Sequence, residues 1–179
     1  MMDDHQVILK VVAAMKRYAD ALDGGEPVDG AFLRGTATFM RVFADQCHHG
    51  KEEAILFPKL AELGVPVEGG PIGVMRIEHE LGRKAVAKLF EMADDCDAGN
   101  PPGKADVAAH LRELAAFYEQ HIWKEDNVLF PMGDRLLSTE VDAELMRRYD
   151  EAEESHGHGV HCEQAAFAEA CEGRFGVGG

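Results

Sequence analysis

The sequence is poor in positive charge, in paired cysteines and in long apolar runs, and each shortage closes off a class of function. Its 179 residues carry 18 Lys and Arg against 33 Asp and Glu, a formal net charge of −15. The basic residues do not cluster, so the patch that a phosphate backbone needs is missing and nucleic-acid binding is not expected. The four cysteines, Cys47, Cys96, Cys162 and Cys171, form no Cys-x-x-Cys pair. That excludes a zinc knuckle and a thioredoxin-type motif, and it fits a reducing compartment. No segment reaches the roughly 18 consecutive apolar residues of a membrane span. The N-terminus, Met1-Met2-Asp3-Asp4-His5, is acidic where a secretory signal is basic. A cytoplasmic location without a membrane partner is the expectation.

Runs of alternating β-branched residues are absent as well, so strands are not expected. What is present reads as helix. Apolar residues make up 46% and charged residues 28%, enough for one well-filled core, and residues 1–179 are taken as a single domain. Loops rich in Gly and Pro at 24–27, 64–71 and 99–103 separate segments rich in Ala, Leu, Glu, Lys, Arg and Met, with apolar residues spaced by three and four. The pattern predicts helices over 3–23, 29–62, 71–97 and 104–131, bent or restarted near Pro58 and Pro131. Two shorter helices follow near 139–155 and 160–173, the first capped by Ser138 or Thr139. Short loops between long helices imply antiparallel neighbours. The fold class is therefore all-α, an up-down-up-down four-helix bundle over 3–132 with a C-terminal helical extension over 138–175.

An internal repeat carries the chemistry. His48-His49-Gly50-Lys51-Glu52-Glu53-Ala54-Ile55-Leu56-Phe57-Pro58 aligns without a gap on His121-Ile122-Trp123-Lys124-Glu125-Asp126-Asn127-Val128-Leu129-Phe130-Pro131, and upstream Asp4-His5 matches Glu78-His79 at almost the same offset. Positions Val107, Leu111, Leu114, Tyr118, His121, Glu125 and Val128 make one core-facing stripe, and Leu33, Ala37, Met40, Ala44, His48, Glu52 and Ile55 make its partner. His5, with Ile8, Leu9 and Val12, and His79, with Met75, Val86 and Leu89, also face inward. Six polar side chains thus share the apolar interior.

A buried glutamate without a partner costs several kcal/mol or is neutralised, and no Arg or Lys lies on these stripes beside Glu52 and Glu125. Four imidazoles and two carboxylates suit a pair of divalent iron or manganese ions, or a mixed pair. Residues four apart on a helix project from one face with Cβ atoms about 5–6 Å apart, so each His-x-x-x-Glu pair can reach one ion. If each Glu spans two ions, every ion has two imidazoles, two bridging oxygens and vacant positions. Such a site suits iron better than structural zinc, which prefers four closed ligands.

The H-H-x-K-E-E-x-x-L-F-P stretch, its echo H-x-x-K-E-D-x-V-L-F-P, and Gly70-Pro71-Ile72-Gly73-Val74-Met75 leading to Glu78-His79-Glu80 resemble the hemerythrin-like, or HHE cation-binding, domains of bacteria over about residues 3–132. The resemblance implies a four-helix bundle with a carboxylate-bridged di-iron centre, with His5, His48, Glu52, His79, His121 and Glu125 as ligands. The family's oxygen carriers use five histidines, with His-x-x-x-His in the third helix; here Arg83 stands at the second of these positions. Carriers also place Asp five residues after the fourth-helix His, a spacing that Asp126 satisfies, while the repeat and the stripe favour Glu125. The four-His, two-Glu set looks more like di-iron proteins linked to repair of damaged iron-sulfur clusters, and like iron- and oxygen-sensing domains. The small cysteine-bearing N-terminal domain found on many of the repair proteins is not in this sequence. The expected partners are O2, NO or peroxide, with an oxidative or nitrosative stress role, and with a sensing module or a reversible O2 carrier as alternatives.

Other polar residues carry blander expectations. His49 and Glu53 offer a register one residue along but read as solvated or outer-sphere, because Ile122, the repeat partner of His49, cannot ligate. His110 reads as a surface residue, and Tyr18 and Tyr118 as packing. His156, His158 and His161, beside Cys162, read as a solvated turn, with a lid or extra ligand at His161 as the reserve.

Overall fold

The segments between the glycine and proline loops are helical, as their composition of good helix formers requires. The computed structural model describes residues 1–156 and 158–175, with the side chains of these outside 155–162 and 175. The readings for His156, His158, His161 and Cys162 lie outside the described side chains.

Helix α1 spans Met2–Asp23. Helix α2, Gly30–Phe39, continues without a break through two π-helical stretches, Met40–His49 and Glu52–Leu56, into α3, Phe57–Glu62. Helix α4 spans Pro71–Asp97. Helix α5, Lys104–Lys124, runs through a third π-helical stretch, Glu125–Leu129, into α6, Phe130–Asp134. Helices α7, Thr139–His156, and α8, His158–Phe175, complete the order. α1 packs along α5 and α2 along α4, and α4 also meets α5, closing a four-helix bundle. α8 lies on α1 and α2, and α7 lies on the first two π-helical stretches. None of the described helices is long and apolar enough to cross a membrane.

The interior has three layers. One apolar cluster fills one end of the bundle with Ile8, Met15, Phe39, Phe43, Leu89, Leu111 and Tyr118. A second fills the other end with Ile55, Leu60, Ile72, Met75, Leu129 and Leu145. Between these clusters every bundle helix carries a buried His, and the second and fourth also carry a buried Glu.

The π-helical stretches explain where the sequence pattern and the structure part. Pro58 and Pro131 each sit second in a new α-helical segment, directly after a wide π turn that absorbs the hydrogen bond proline cannot make. The same widening shifts the core stripe: Val128, expected inside, is exposed, and Leu129 is buried in its place. His110, expected on the surface, is buried, with Nε2 2.9 Å from the Ala85 carbonyl. Gly73 is required by close approach, since a Cβ there would lie 2.3 Å from the Val67 carbonyl oxygen. Ser138 caps α7 as expected, accepting from the Val141 amide.

Asp29 caps α2: its Oδ1 accepts from the Phe32 amide at 3.0 Å, and its Oδ2 meets Arg174 of α8 at 2.8 Å. Burial pushes the Asp29 carboxyl up, but the Phe32 amide and Arg174 outweigh it and hold the group below its ordinary value. Asp29→Ala is expected to lower unfolding stability by about 1 kcal/mol in urea titrations at pH 7. A depressed carboxylate contributes fully above its unfolded value of about 4 and loses that contribution as pH falls through the folded value. The gap between wild type and variant therefore narrows towards pH 3.

Candidate metal centre

Each helix of the bundle delivers part of the middle layer. His5 comes from α1, His48, His49 and Glu52 from the first two π-helical stretches, His79 from α4, His121 from the last turn of α5, and Glu125 from the first residue of the third π-helical stretch. All seven are buried. Glu125 Oε1 lies 3.0 Å from His121 Nε2 and 3.9 Å from His79 Nε2. Its Oε2 lies 3.2 Å from His5 Nε2 and 4.0 Å from His48 Nε2. Glu52 repeats the arrangement, with Oε2 3.3 Å from His79 Nε2 and Oε1 3.9 Å from His48 Nε2. Each carboxylate thus turns one oxygen to each of two imidazole groups, His5 with His48 on one side and His79 on the other.

These contacts are close without having hydrogen-bond geometry. Both oxygens of Glu52, both of Glu125, and the Nε2 atoms of His79 and His121 are buried with no hydrogen-bond partner. Six unsatisfied polar atoms facing one another in an apolar interior would each cost free energy, and a cation between them removes that cost. The donors are nitrogen and carboxylate oxygen, the set that borderline transition-metal ions take.

Behind each of the four repeat imidazoles stands a carboxylate on Nδ1, from the other half of the repeat for His5 and His79 and from the same half for His48 and His121. Asp126, next to Glu125, meets His5 at 2.8 Å, and Glu53, next to Glu52, meets His79 at 2.6 Å. Asp4, next to His5, meets His48 at 3.1 Å, and Glu78, next to His79, meets His121 at 2.9 Å. Each Nδ1–H donates outward, which commits Nε2 to the interior. Cations anchor the outer acids: Lys51 to Asp4 at 2.8 Å, its repeat partner Lys124 to Glu78, and Arg83 to Glu53 at 2.8 Å.

The six residues selected from the sequence converge in this layer, and the choice between neighbours has a structural counterpart: Glu125 faces the imidazoles, whereas Asp126 stands behind one. Glu53 is outer-sphere, as expected for it. His49 is not solvated. It is buried, stacked 3.8 Å from His79, with Nδ1 3.4 Å from Asp45. An α-helical stripe misses it because two adjacent residues cannot both face inward at that pitch, while the wider π turn of Met40–His49 brings both round. The outer acids were signalled in the sequence by Asp4-His5 matching Glu78-His79 and Glu52-Glu53 matching Glu125-Asp126.

The sequence pattern described as hemerythrin HHE cation binding domain matches residues 1–133. The chain belongs to that family. Uncharacterized proteins of Mycobacterium tuberculosis and Mycobacterium bovis are 22% identical to it over 153 residues, 86% of this chain and 59% of theirs. A protein of Haemophilus influenzae, named a probable iron-sulfur cluster repair protein, is 29% identical over 101 residues, 53% of this chain and 44% of its own. The chain thus spans about 59% of the length of the mycobacterial relatives it matches. No solved structure matches it.

In this hemerythrin-family domain the buried acids load the imidazoles with protons. Burial pushes His79 and His48 down, but Glu125, Glu52 and the outer acids overcome it and raise them to about 10 and about 9. His121 is raised in the same way by Glu125 and Glu78. Burial and the charge of Glu125 push Glu52 up, whereas the surrounding imidazoles hold Glu125 well below its ordinary value. Burial dominates at His49 and lowers it to about 3, so that imidazole is neutral.

A metal ion has to displace the protons on the raised histidines, so loading releases protons and affinity rises with pH up to about 9–10. Chelator competition between pH 6 and 9 measures this. Asp4→Ala and Glu78→Ala each free a Nδ1–H from its acceptor and are expected to weaken metal binding by about tenfold to a hundredfold, with similar size because the repeat makes them equivalent. The same competition assay at fixed pH checks it.

Proposed function

We propose that this domain is a non-haem di-iron protein that binds or reacts with a small oxidant, O2, NO or peroxide, with His5, His48, Glu52, His79, His121 and Glu125 as ligands. The observation that carries the reading is the straddling position of Glu52 and Glu125, each with one oxygen towards either imidazole group. Two open-shell ions held there would supply one- or two-electron chemistry towards a small oxidant. The chain supplies the rest. His5, His48, His79 and His121 are held by Asp126, Asp4, Glu53 and Glu78 with their Nε2 atoms inward. Ile55 and Leu129 belong to the apolar cluster on one side of the layer, and Phe43, Tyr118 and Ile122 to the cluster on the other. The relative named for iron-sulfur cluster repair supports a place in oxidative or nitrosative stress.

A sensing role is favoured by one connection. Glu153 of α7 meets Lys51 at 2.5 Å, Lys51 holds Asp4, and Asp4 holds His48. A change at His48 thus reaches the C-terminal extension through two ion pairs. Limited proteolysis with and without iron tests this, since identical digestion of α7 and α8 removes the sensing reading.

Glu52→Ala and Glu125→Ala are each expected to cost at least one of two irons per chain, read by metal analysis after desalting. Wild type loaded with iron in air is expected to absorb in the near-ultraviolet to visible region and to change on exposure to NO. Two tightly bound irons in both variants would sink the ligand set.

A further inference from the structure

We propose that the cavity between the first π-helical stretch and α4 is a binding chamber through which the small oxidant enters, and that it takes ligands of a few heavy atoms that carry a hydrogen-bond acceptor. This rests on the dinuclear reading above and adds the path to the centre. The cavity, of about 170 Å³, is bounded by Met40, Asp45 and His49 of that stretch, by Arg83 and Val86 of α4, and by Tyr118 of α5. Arg41 and Ala87 also line it and are exposed, whereas Met40, His49, Val86 and Tyr118 are buried. The cavity therefore runs from the surface into the interior. Its inner wall belongs to the middle layer, because the His49 ring centre lies 3.8 Å from that of His79 and 5.3 Å from that of His121.

The lining defines what the chamber accepts. Tyr118 is 1% exposed, and its hydroxyl has no hydrogen-bond partner among the described residues. On the α4 side it meets bare backbone, since a Cβ at Gly82 would lie 3.2 Å from the hydroxyl oxygen. A buried hydroxyl left unpaired costs free energy, and a ligand with an acceptor atom removes that cost. Met40, Val86 and Phe90 make the rest of the wall apolar. Arg83 is a fixed part of the wall, held by Asp45 at 2.9 Å, Glu53 at 2.8 Å and Glu80 at 2.6 Å. Arg41, at the exposed end, lies over the Phe90 ring at 4.2 Å and has no carboxylate partner among the described residues. The mouth is thus the one side of the chamber that no ion pair holds shut.

Two other readings compete. A packing void that carries no traffic is apolar and closed, whereas this cavity holds a buried hydroxyl and opens beside Arg41. A second cavity, of about 190 Å³, lies against α7 and offers another path. Leu56, Leu129, Phe130, Leu145 and Tyr149 line it, and none of the seven buried residues of the middle layer does. Phe130 of that lining stacks on His5 with ring centres 5.6 Å apart, so a ligand there still has an aromatic ring to pass. Kinetics separate a route from a support of the centre. A residue that only lines the route changes entry and exit equally and leaves the equilibrium alone; one that supports the centre changes the equilibrium.

The test follows NO binding to the ferrous protein and azide binding to the ferric protein by stopped flow, with iron per chain and Mössbauer spectra as checks on the centre. Val86→Phe fills the chamber and is expected to slow NO entry and exit by about tenfold each, with Kd unchanged. Leu145→Phe fills the second cavity and is expected to leave both rates as in wild type. The azide rate of wild type is expected to level off at high azide, as filling of a chamber ahead of the centre requires, and Tyr118→Phe to raise the half-saturating concentration severalfold. Wild-type NO rates in Val86→Phe, slowing in Leu145→Phe instead, or a shift in Kd without equal slowing would overturn the route and leave the dinuclear reading intact. A linear azide rate in wild type, or an unshifted half-saturation in Tyr118→Phe, would overturn the chamber as a binding site. Fewer than two irons, or no iron-dependent NO spectrum, in wild type would overturn the dinuclear reading and the route with it. Circular dichroism identifies a variant that fails to fold, and Ala87→Trp at the exposed rim then carries the expectation stated for Val86→Phe.

Discussion

Two glutamates with no solvent contact and no hydrogen-bond partner dictate the organisation of this molecule. Burying a carboxylate in an apolar interior costs several kcal/mol unless something compensates. The side chains that face Glu52 and Glu125 are arranged around that cost. Imidazoles face their oxygens, acids stand behind the imidazoles, and lysines or an arginine hold the acids. Charge alternates outward from the centre to the surface, so no single buried charge stands alone. The apolar clusters on either side flank the layer, and their low polarity strengthens the electrostatic contacts inside it.

The helices pay for this layer in regular geometry. All three π-helical stretches fall on the chain segments that carry His48, His49, Glu52 and Glu125, and each of the two later ones ends beside a Leu-Phe-Pro sequence. The widened turn turns neighbouring residues towards one side, which a 3.6-residue pitch does not allow. It also gives Pro58 and Pro131 a place to begin a new α-helical turn. The repeated Leu-Phe-Pro and the repeated His-x-x-x-Glu are therefore one structural device, used twice.

Membership of the hemerythrin family fits a bundle whose two halves are related by this repeat, with each half supplying one outer acid to itself and one to the other. His5 and His79 are backed from the helices that carry Glu125 and Glu52, and His48 and His121 from the helices that carry His5 and His79. Each half therefore orients one of its own histidines, His48 or His121, and depends on the other half for the second, His5 or His79. The exception is the Asp45–His49 pair, which is local to one helix and joined to α4 by Arg83. That exception breaks the symmetry of an otherwise duplicated site. The C-terminal helix α7 is tied to the same network through the Glu153–Lys51 ion pair.

The sequence by itself determined the helical class, the loop positions and the six inward-facing ligand candidates. Helix periodicity, glycine and proline punctuation and a gapless internal repeat are all local or directly comparable along the chain. Only the tertiary structure decided what the local pitch would be and which side chains meet across the bundle. An α-helical stripe put Val128 inside and His49 outside, and the π turns reversed both. It likewise put His110 on the surface, where packing against α4 gives its Nε2 a buried carbonyl partner. The crossed pairing of acids with histidines more than forty residues away, or twenty-six for Glu53 and His79, depends on how the helices lie against one another. Spacing along a chain carries no record of that.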